Sequence, residues 1–262
     1  MIKENKTVCL ILAAGYATRM YPLCENFPKP LLEVGSPSVG HKTILGWLVD
    51  DVHESCGIGD FVLVSNHRFL DHFTSWTESK KKDAGISITV LDDGSTSNDN
   101  RLGAVKDIEF AIESLGLSSD LLVLAGDNVL DFSFKGFVSY ARSKGTTCIM
   151  RYHEPNTERL YKCGVVEIDA DDRILSMEEK PAEPKSHWCC PPFYYYRKED
   201  LPLVSKGIAE GCGTDAPGSF IAWLCTQTTV HAWEMPAARH DIGSLETYKE
   251  ACRIYEGKGK RE

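Results

Sequence analysis

The sequence predicts an α/β fold, a mixed and mainly parallel sheet flanked by helices. Short apolar runs at residues 8–14, 61–65, 86–91 and 121–125 have the length and the turn-bounded ends of buried strands. Helical stripes separate them, the clearest being Ile44, Leu45, Leu48, Val49 and Val52, which share one face of a helix over residues 43–53. Two of the runs stop abruptly at glycine turns, Gly15 and Gly126-Asp127-Asn128. Strands alternating with helices imply right-handed crossovers between parallel strands. Ligands of such sheets sit beyond the carboxyl ends of the strands, so the Gly15 loop and Asp127 are expected to face one crevice.

Each element follows from local chemistry. Lys3 and Lys6 before the run at 8–14 faintly imitate a secretory leader, but the run is short and Arg19 follows soon, so it reads as the first strand. Glu33-Val34-Gly35 is a short strand or turn leading into the helix at 43–53. Gly59 and Asn66 bracket the second strand. The pattern over 68–82 predicts a helix with Phe69, Leu70, Phe73 and Trp76 inward, and Lys80-Lys81-Lys82 solvated in its last turn, where the helix dipole favours cations. A polar loop at 92–101 separates the third strand from a helix over 102–115.

Beyond residue 146 the rhythm changes to short strands at 148–152, 164–168, 174–178 and 193–196. Asp169-Ala170-Asp171-Asp172 reads as a hairpin connection, since it lacks calcium-loop spacing. Tyr194-Tyr195-Tyr196 reads as core packing rather than sugar stacking. Asp215 is expected to cap a helix with an early Pro217, packed through residues 220–224; a strand at 228–234 and a helix capped by Ser244 follow. No internal repeat or low-complexity linker interrupts the chain. One domain over 1–262 is expected, in two halves at 1–145 and 146–262.

The 262 residues suffice for a sizeable core, and 42% hydrophobic with 26% charged content is ordinary for a globular chain. A net charge of -9 argues against a general nucleic-acid binder. None of the ten cysteines forms a Cys-x-x-Cys pair; they read as buried thiols in a reducing compartment rather than zinc ligands or disulfides. No stretch is long enough to span a membrane, and a cytoplasmic location is expected. The sequence fixes no oligomeric state.

The chemistry concentrates after the first strand. Small residues Ala13, Ala14, Gly15 and Ala17 let backbone approach a ligand, and Gly15 can take positive φ at little cost. Exposed N–H groups in such a turn cradle an anion, to which Arg19 and Lys29 add charge. No Gly-Lys-Ser/Thr follows, so this is not a Walker loop, and Gly-x-Gly-x-x-Gly is missing. Leu12-Ala13-Ala14-Gly15-x-x-x-Arg19 followed by Pro28-Lys29-Pro30-Leu31 resembles the signature of the sugar-1-phosphate nucleotidyltransferases. The resemblance covers nearly the whole chain and extends to Gly126-Asp127-Asn128, Glu178-Glu179-Lys180-Pro181 and His240-Asp241-Ile242-Gly243, in the family's order.

That resemblance implies a Rossmann-like fold of the nucleotide-diphospho-sugar transferase type, with the half at 1–145 binding nucleotide and the half at 146–262 binding sugar phosphate. It implies that Gly15 contacts the nucleotide phosphates, with Ala13 and Ala14 near base or ribose, Arg19 on the leaving pyrophosphate and Lys29 on the α-phosphate. Asp127 and Asp241 would hold Mg²⁺, Lys180 the sugar phosphate, and Asn128, Gly164 and Glu179 would face the sugar. The substrates would be an NTP and a sugar 1-phosphate, with neither nucleic acid nor membrane as partner. The chemistry is self-consistent: magnesium favours oxygen ligands and keeps several waters. The attacking phosphate is already anionic, so cations and geometry rather than a protein nucleophile answer the repulsion between reactants.

Two departures from the family pattern stand out. Ala17 occupies a position where a second glycine is common, and the base-reading Gln is missing. Gly103 is the best candidate for the base contact, with dTTP, UTP and CTP left open. A cytidylyltransferase acting on phosphocholine or a similar amine is the alternative, with Trp188, Tyr194 and Tyr195 as its aromatic box. A non-catalytic regulatory subunit of the same fold is a third reading, which intact Arg19, Lys29, Asp127 and Asp241 disfavour.

Overall fold

A computed structural model describes residues 6–35 and 42–256; Lys3 of the leader-like start lies outside them. The strands are β1 (Thr7–Leu12), β2 (Glu33–Val34), β3 (Lys42–Thr43), β4 (Asp60–Ser65), β5 (Ile88–Asp92), β6 (Asp120–Ala125), β7 (Asn128–Leu130), β8 (Thr147–His153), β9 (Gly164–Ile168), β10 (Ile174–Glu179), β11 (Trp188–Cys190), β12 (Phe193–Tyr196), β13 (Val230–Glu234) and β14 (Arg239–Asp241). The helices are α1 (Ile44–Cys56), α2 (Leu70–Ala84), α3 (Ala104–Leu115), α4 (Lys135–Lys144), α5 (Thr157–Leu160), α6 (Leu203–Ala209), α7 (Gly218–Leu224) and α8 (Leu245–Glu256).

The chain divides into two units. The first takes the chain up to Leu12, Leu102–Leu124 and Lys135–Pro236; the second takes Ala13–Arg101, Ala125–Phe134 and the chain from Ala237. In the first unit the strand order is β10-β9-β11-β8-β12-β6-β1, with β13 parallel on β8. Leu121, Leu122, Val123 and Leu124 of β6 are fully buried, as their unbroken apolar run requires. Beside them β12 lies antiparallel, Tyr195 opposite Leu122, and all three of its tyrosines are buried. Burial of the Tyr195 hydroxyl is made tolerable by hydrogen bonding: it donates to Asp120 Oδ2 at 3.0 Å and lies 3.0 Å from Thr7 Oγ1. The hairpin between β9 and β10 forms at the acidic turn, where Asp169 Oδ1 accepts from the backbone N–H of Asp171 and Arg173.

In the second unit β4 and β5 pair in parallel through the α2 crossover, while β2–β3 and β7–β14 are short antiparallel ladders. The apolar stripe of α1 is buried as the sequence requires, and Thr43 caps the helix by accepting the Gly46 N–H at 2.9 Å. A core of Met20, Cys24, Leu32, Val34, Ile44, Val129, Ile242, Ala251 and Tyr255 ties loop, helix and the short ladders together. Ser244 caps α8 by accepting from Thr247 N–H.

Several expectations need correction. Lys80 is not merely solvated: its ammonium bonds Asp50 Oδ1 at 2.6 Å, and Lys42 takes the other oxygen at 2.7 Å. Asp50, on the polar edge of α1, draws it back across the helix pair. Asp215 does not cap α7, because Pro217 holds the N-cap position; the Asp215 carbonyl instead accepts from Ala104 N–H of α3. The α2 helix buries Phe69 and Phe73 at and beyond its start but leaves Leu70 and Trp76 half-buried. No helix among the described residues is long and apolar enough to cross a membrane.

Candidate functional site

The loop after β1 is held from beneath rather than by its own glycine. Ala13 N–H donates to Val64 O at 2.9 Å, and the buried Asn66 Nδ2 donates to Ala14 O at 3.0 Å. Tyr16 is buried with its hydroxyl toward Ser95 Oγ at 3.4 Å, and Ser95 in turn donates to Asp93. Gly15 is exposed and does not have positive φ; a Cβ there would meet open space. The left-handed residue of the loop is Ala17, with φ 47° and ψ 40°, which corrects the expectation placed on Gly15. Ala17 introduces the 3-10 turn Thr18–Met20, which buries Met20 and leaves Arg19 exposed.

A second 3-10 turn, Lys29–Leu31, buries Pro30 and Leu31 and so points Lys29 the other way. Its ammonium meets Asp127 Oδ2 at 2.6 Å. The other oxygen of Asp127 accepts from Asn128 Nδ2 at 2.7 Å. Strand β14 brings Asp241 opposite Asn128 in the ladder, and Ile242 N–H donates to the Asp127 carbonyl at 3.1 Å. The two predicted metal-binding acids therefore stand on paired backbone segments of one unit. Their proton affinities diverge, as expected of two carboxylates sharing a site. Burial works against ionisation of Asp127, but Lys29 and then Arg239 hold it below the ordinary carboxylate range. Asp241 is held above that range by partial loss of hydration and by the charge of Asp127; Arg239, Lys29 and Arg19 oppose this.

Arg239 is the residue that sequence reading missed. Its guanidinium donates to Asn128 Oδ1 at 2.6 Å and lies 4.0 Å from Asp241 Oδ2. The available signal was its spacing of two from Asp241, which puts both on one face of a strand. Asn128, expected to face a sugar, is fully buried with both ends of its amide engaged.

In the first unit Glu179 ends β10 opposite Gly164. A Cβ on Gly164 would lie 3.0 Å from Glu179 Oε2, and one on Gly218 would lie 2.4 Å from it, so two glycines make room for this carboxylate. Burial pushes Glu179 up despite the neighbouring Lys180. Lys180 is exposed and left-handed at φ 51°, with its N–H on Cys163 O at 2.9 Å. Gly103 has φ +94°, and a Cβ there would lie 2.6 Å from Thr214 O, so backbone packing alone demands glycine. The aromatic box does not form: Tyr194 and Tyr195 are buried, and the Arg151 guanidinium covers the Trp188 ring at 4.5 Å.

The hard oxygen donors of two carboxylates are the kind that magnesium takes alongside phosphate oxygens and water. They do not fit a closed zinc site, and among the described residues no group of three or more His, Cys, Asp or Glu is arranged to hold a metal ion.

The profile of the Nucleotidyl transferase family matches residues 8–258, nearly the whole chain. The chain belongs to that family. It is 27% identical over 186 residues to the glucose-1-phosphate adenylyltransferase of Shewanella frigidimarina, covering 69% of this chain and 43% of that protein. It is 25% identical over 259 residues to the enzyme of the same name from Fervidobacterium nodosum, covering 94% and 60%. The chain thus spans about half the length of the curated relatives it matches. Among solved structures, a putative glucose-1-phosphate thymidylyltransferase from Bacillus anthracis, in complex with a sucrose, superposes with TM-score 0.77 at 20% identity over 98% of each chain. An apo UDP-glucose pyrophosphorylase gives 0.77 at 19% identity, over 95% of this chain and 98% of that one. The shared fold is a mixed sheet with mainly parallel central strands flanked by helices.

Proposed function

We propose that the chain is an Mg²⁺-dependent sugar-1-phosphate nucleotidyltransferase, joining NMP from an NTP to a sugar 1-phosphate and releasing pyrophosphate. The observation that carries this reading is the convergence, in one unit, of the Gly15 loop, Arg19, Lys29 and the adjoining Asp127 and Asp241. The relatives' names make glucose 1-phosphate the first acceptor to try, and they add ATP to the candidate donors. None of the named relatives is a cytidylyltransferase acting on phosphocholine, and without its aromatic box that alternative has no support here.

In this reading the Gly15 loop presents backbone N–H groups to the nucleotide, with Ala13 and Ala14 close to base or ribose. Arg19, exposed on its 3-10 turn, takes the β- and γ-phosphates. Lys29 exchanges its bond to Asp127 for the α-phosphate when the nucleotide arrives. Asp127 and Asp241 would hold magnesium, which when bound supplies positive charge at the phosphates. The acceptor's phosphate oxygen forms a bond to the α-phosphorus as the bond to the β-phosphate oxygen breaks. Lys180 binds the acceptor phosphate, and Glu179 and Gly164 face the sugar. Gly103 remains the candidate beside the base. Holding both reactants in line supplies on the order of 7–11 kcal/mol of the barrier.

The test is pyrophosphate release by the purified protein with Mg²⁺, each of ATP, CTP, UTP, dTTP and GTP, and either glucose 1-phosphate, other sugar 1-phosphates or phosphocholine. Release with a sugar 1-phosphate is expected. Release with phosphocholine alone, or with no pair, overturns the proposal.

A further inference from the structure

We infer that Arg239 is a positioning residue for the divalent-cation site and that it acts through the buried amide of Asn128. The inference rests on the reading that Asp127 and Asp241 hold a divalent ion. A carboxamide has a donor end and an acceptor end, and in a buried site the neighbours decide which way it points. Asn128 is fully buried between two groups of opposite kind. The Asp127 carboxylate only accepts, and it receives Nδ2 at 2.7 Å. The Arg239 guanidinium only donates, and it meets Oδ1 at 2.6 Å. Turning the amide over would set donor against donor and acceptor against acceptor, so Arg239 fixes a single orientation.

That orientation matters most when the site is loaded. In the free protein the Asp127 carboxylate is held at both oxygens, by Lys29 at 2.6 Å and by Asn128. A nucleotide that draws Lys29 onto its phosphate leaves Asn128 as the remaining one of these two contacts. The plane of Asp127 then depends on an amide that Arg239 holds. The ladder between β7 and β14 makes this geometry local. Asp241 faces Asn128 and Arg239 faces Leu130, so Arg239 and Asp241 project from one side of β14, and His240 turns to Asp131 at 3.1 Å. Arg239 is 4.0 Å from Asp241 Oδ2, so the shorter of its two contacts here is the one to Asn128 Oδ1. A fork of planar donors meets these requirements better than an ammonium does. Groups that orient metal ligands from behind typically change metal affinity or activity by about 10–100-fold when removed.

The experiment measures Mn²⁺ affinity by electron paramagnetic resonance, with Mn²⁺ alone and with inorganic pyrophosphate, alongside thermal unfolding. Wild type is compared with Arg239→Met, Arg239→Lys, Asn128→Ala and Asn128→Ala/Arg239→Met. Arg239→Met is expected to weaken Mn²⁺ by about 10-fold or more, with Arg239→Lys recovering part of the loss. Once Asn128 is gone, removing Arg239 should weaken binding no further, because the two residues act in series. Unchanged affinity in Arg239→Met, or losses that add in the double variant, overturns the inference. Should Arg239→Met fail to fold, Asn128→Ala is compared with Asn128→Ala/Arg239→Lys; equal affinities are expected, and a further loss overturns it. Wild-type protein that binds no Mn²⁺ under either condition sinks the metal reading and this inference together. Wild-type binding that survives Arg239→Met intact sinks this inference alone.

Discussion

Ala17 holds a left-handed backbone that a residue with a Cβ adopts at a cost of roughly 1–2 kcal/mol, while packing against the core beneath the loop. Glycine would relieve that cost but restore freedom to the unfolded chain, worth about 0.4–1 kcal/mol. Ala17→Gly is therefore expected to leave stability within about 1 kcal/mol of wild type, and Ala17→Val to fall below both. Thermal melts in which valine is tolerated as well as glycine would contradict this account of the loop. Lys180 is the other non-glycine residue at a proposed site with positive φ, and strain of this kind gathers where function requires it. Lys180→Ala is expected to lower kcat/KM for the acceptor by at least about tenfold, the loss of one charge-assisted contact. Nucleotide affinity should stay near wild type. An effect confined to the nucleotide would move Lys180 out of the acceptor's phosphate site.

Among the elements, the α1–α2 pair is joined by charge as well as by apolar packing. Burial favours the neutral acid at Asp50, but Lys42 and Lys80 outweigh it and hold the carboxyl below its ordinary value. Because the folded value is depressed, the stabilisation is complete above the unfolded value near about 3.9 and is lost as pH falls through the folded one. Asp50→Asn should thus lower stability by roughly 1–3 kcal/mol at neutral pH. The gap to wild type should close in acid, and a gap that stays constant down to pH 3 would remove the ion pair from the account. Elements carried by dense periodic patterns, such as α1 and β6, are legible in the sequence because one face or one run must leave water. The short ladder β7–β14 and strand β3 are not, since two or three residues carry no period and form only when a partner strand meets them. The same blindness hid Arg239. Its proposed role depends on register with β7, whereas Gly15, Arg19, Lys29, Asp127 and Asp241 are candidates on motif alone. The motif misled about conformation, by giving Gly15 the turn that Ala17 makes, and about Asn128, which is buried rather than open to a sugar.

For the whole molecule, the ten cysteines are all free, and five of them are buried. Burial pushes the Cys148 thiol up to about 12, which leaves it an inert apolar side chain at neutral pH. The fold is accordingly expected to hold without a metal. Chelation by EDTA should abolish nucleotidyl transfer while leaving the melting temperature unchanged. A zinc-selective chelator with Mg²⁺ in excess should alter neither. A drop in melting temperature with either reagent would mean that a metal holds the fold.

The division of the chain also sets an order for its synthesis. Each unit is assembled from separated segments, and the first has all of its parts once Pro236 has emerged from the ribosome. The second, which carries Lys29 and Asp127, still waits for Arg239, Asp241 and α8. A nascent chain halted at Pro236 would thus hold Gly164, Glu179 and Lys180, the proposed acceptor residues, while lacking Asp241 and Arg239 beside the proposed metal site. On the proposed reading, transfer needs the residues that follow Pro236, and a product truncated there is expected to release no pyrophosphate.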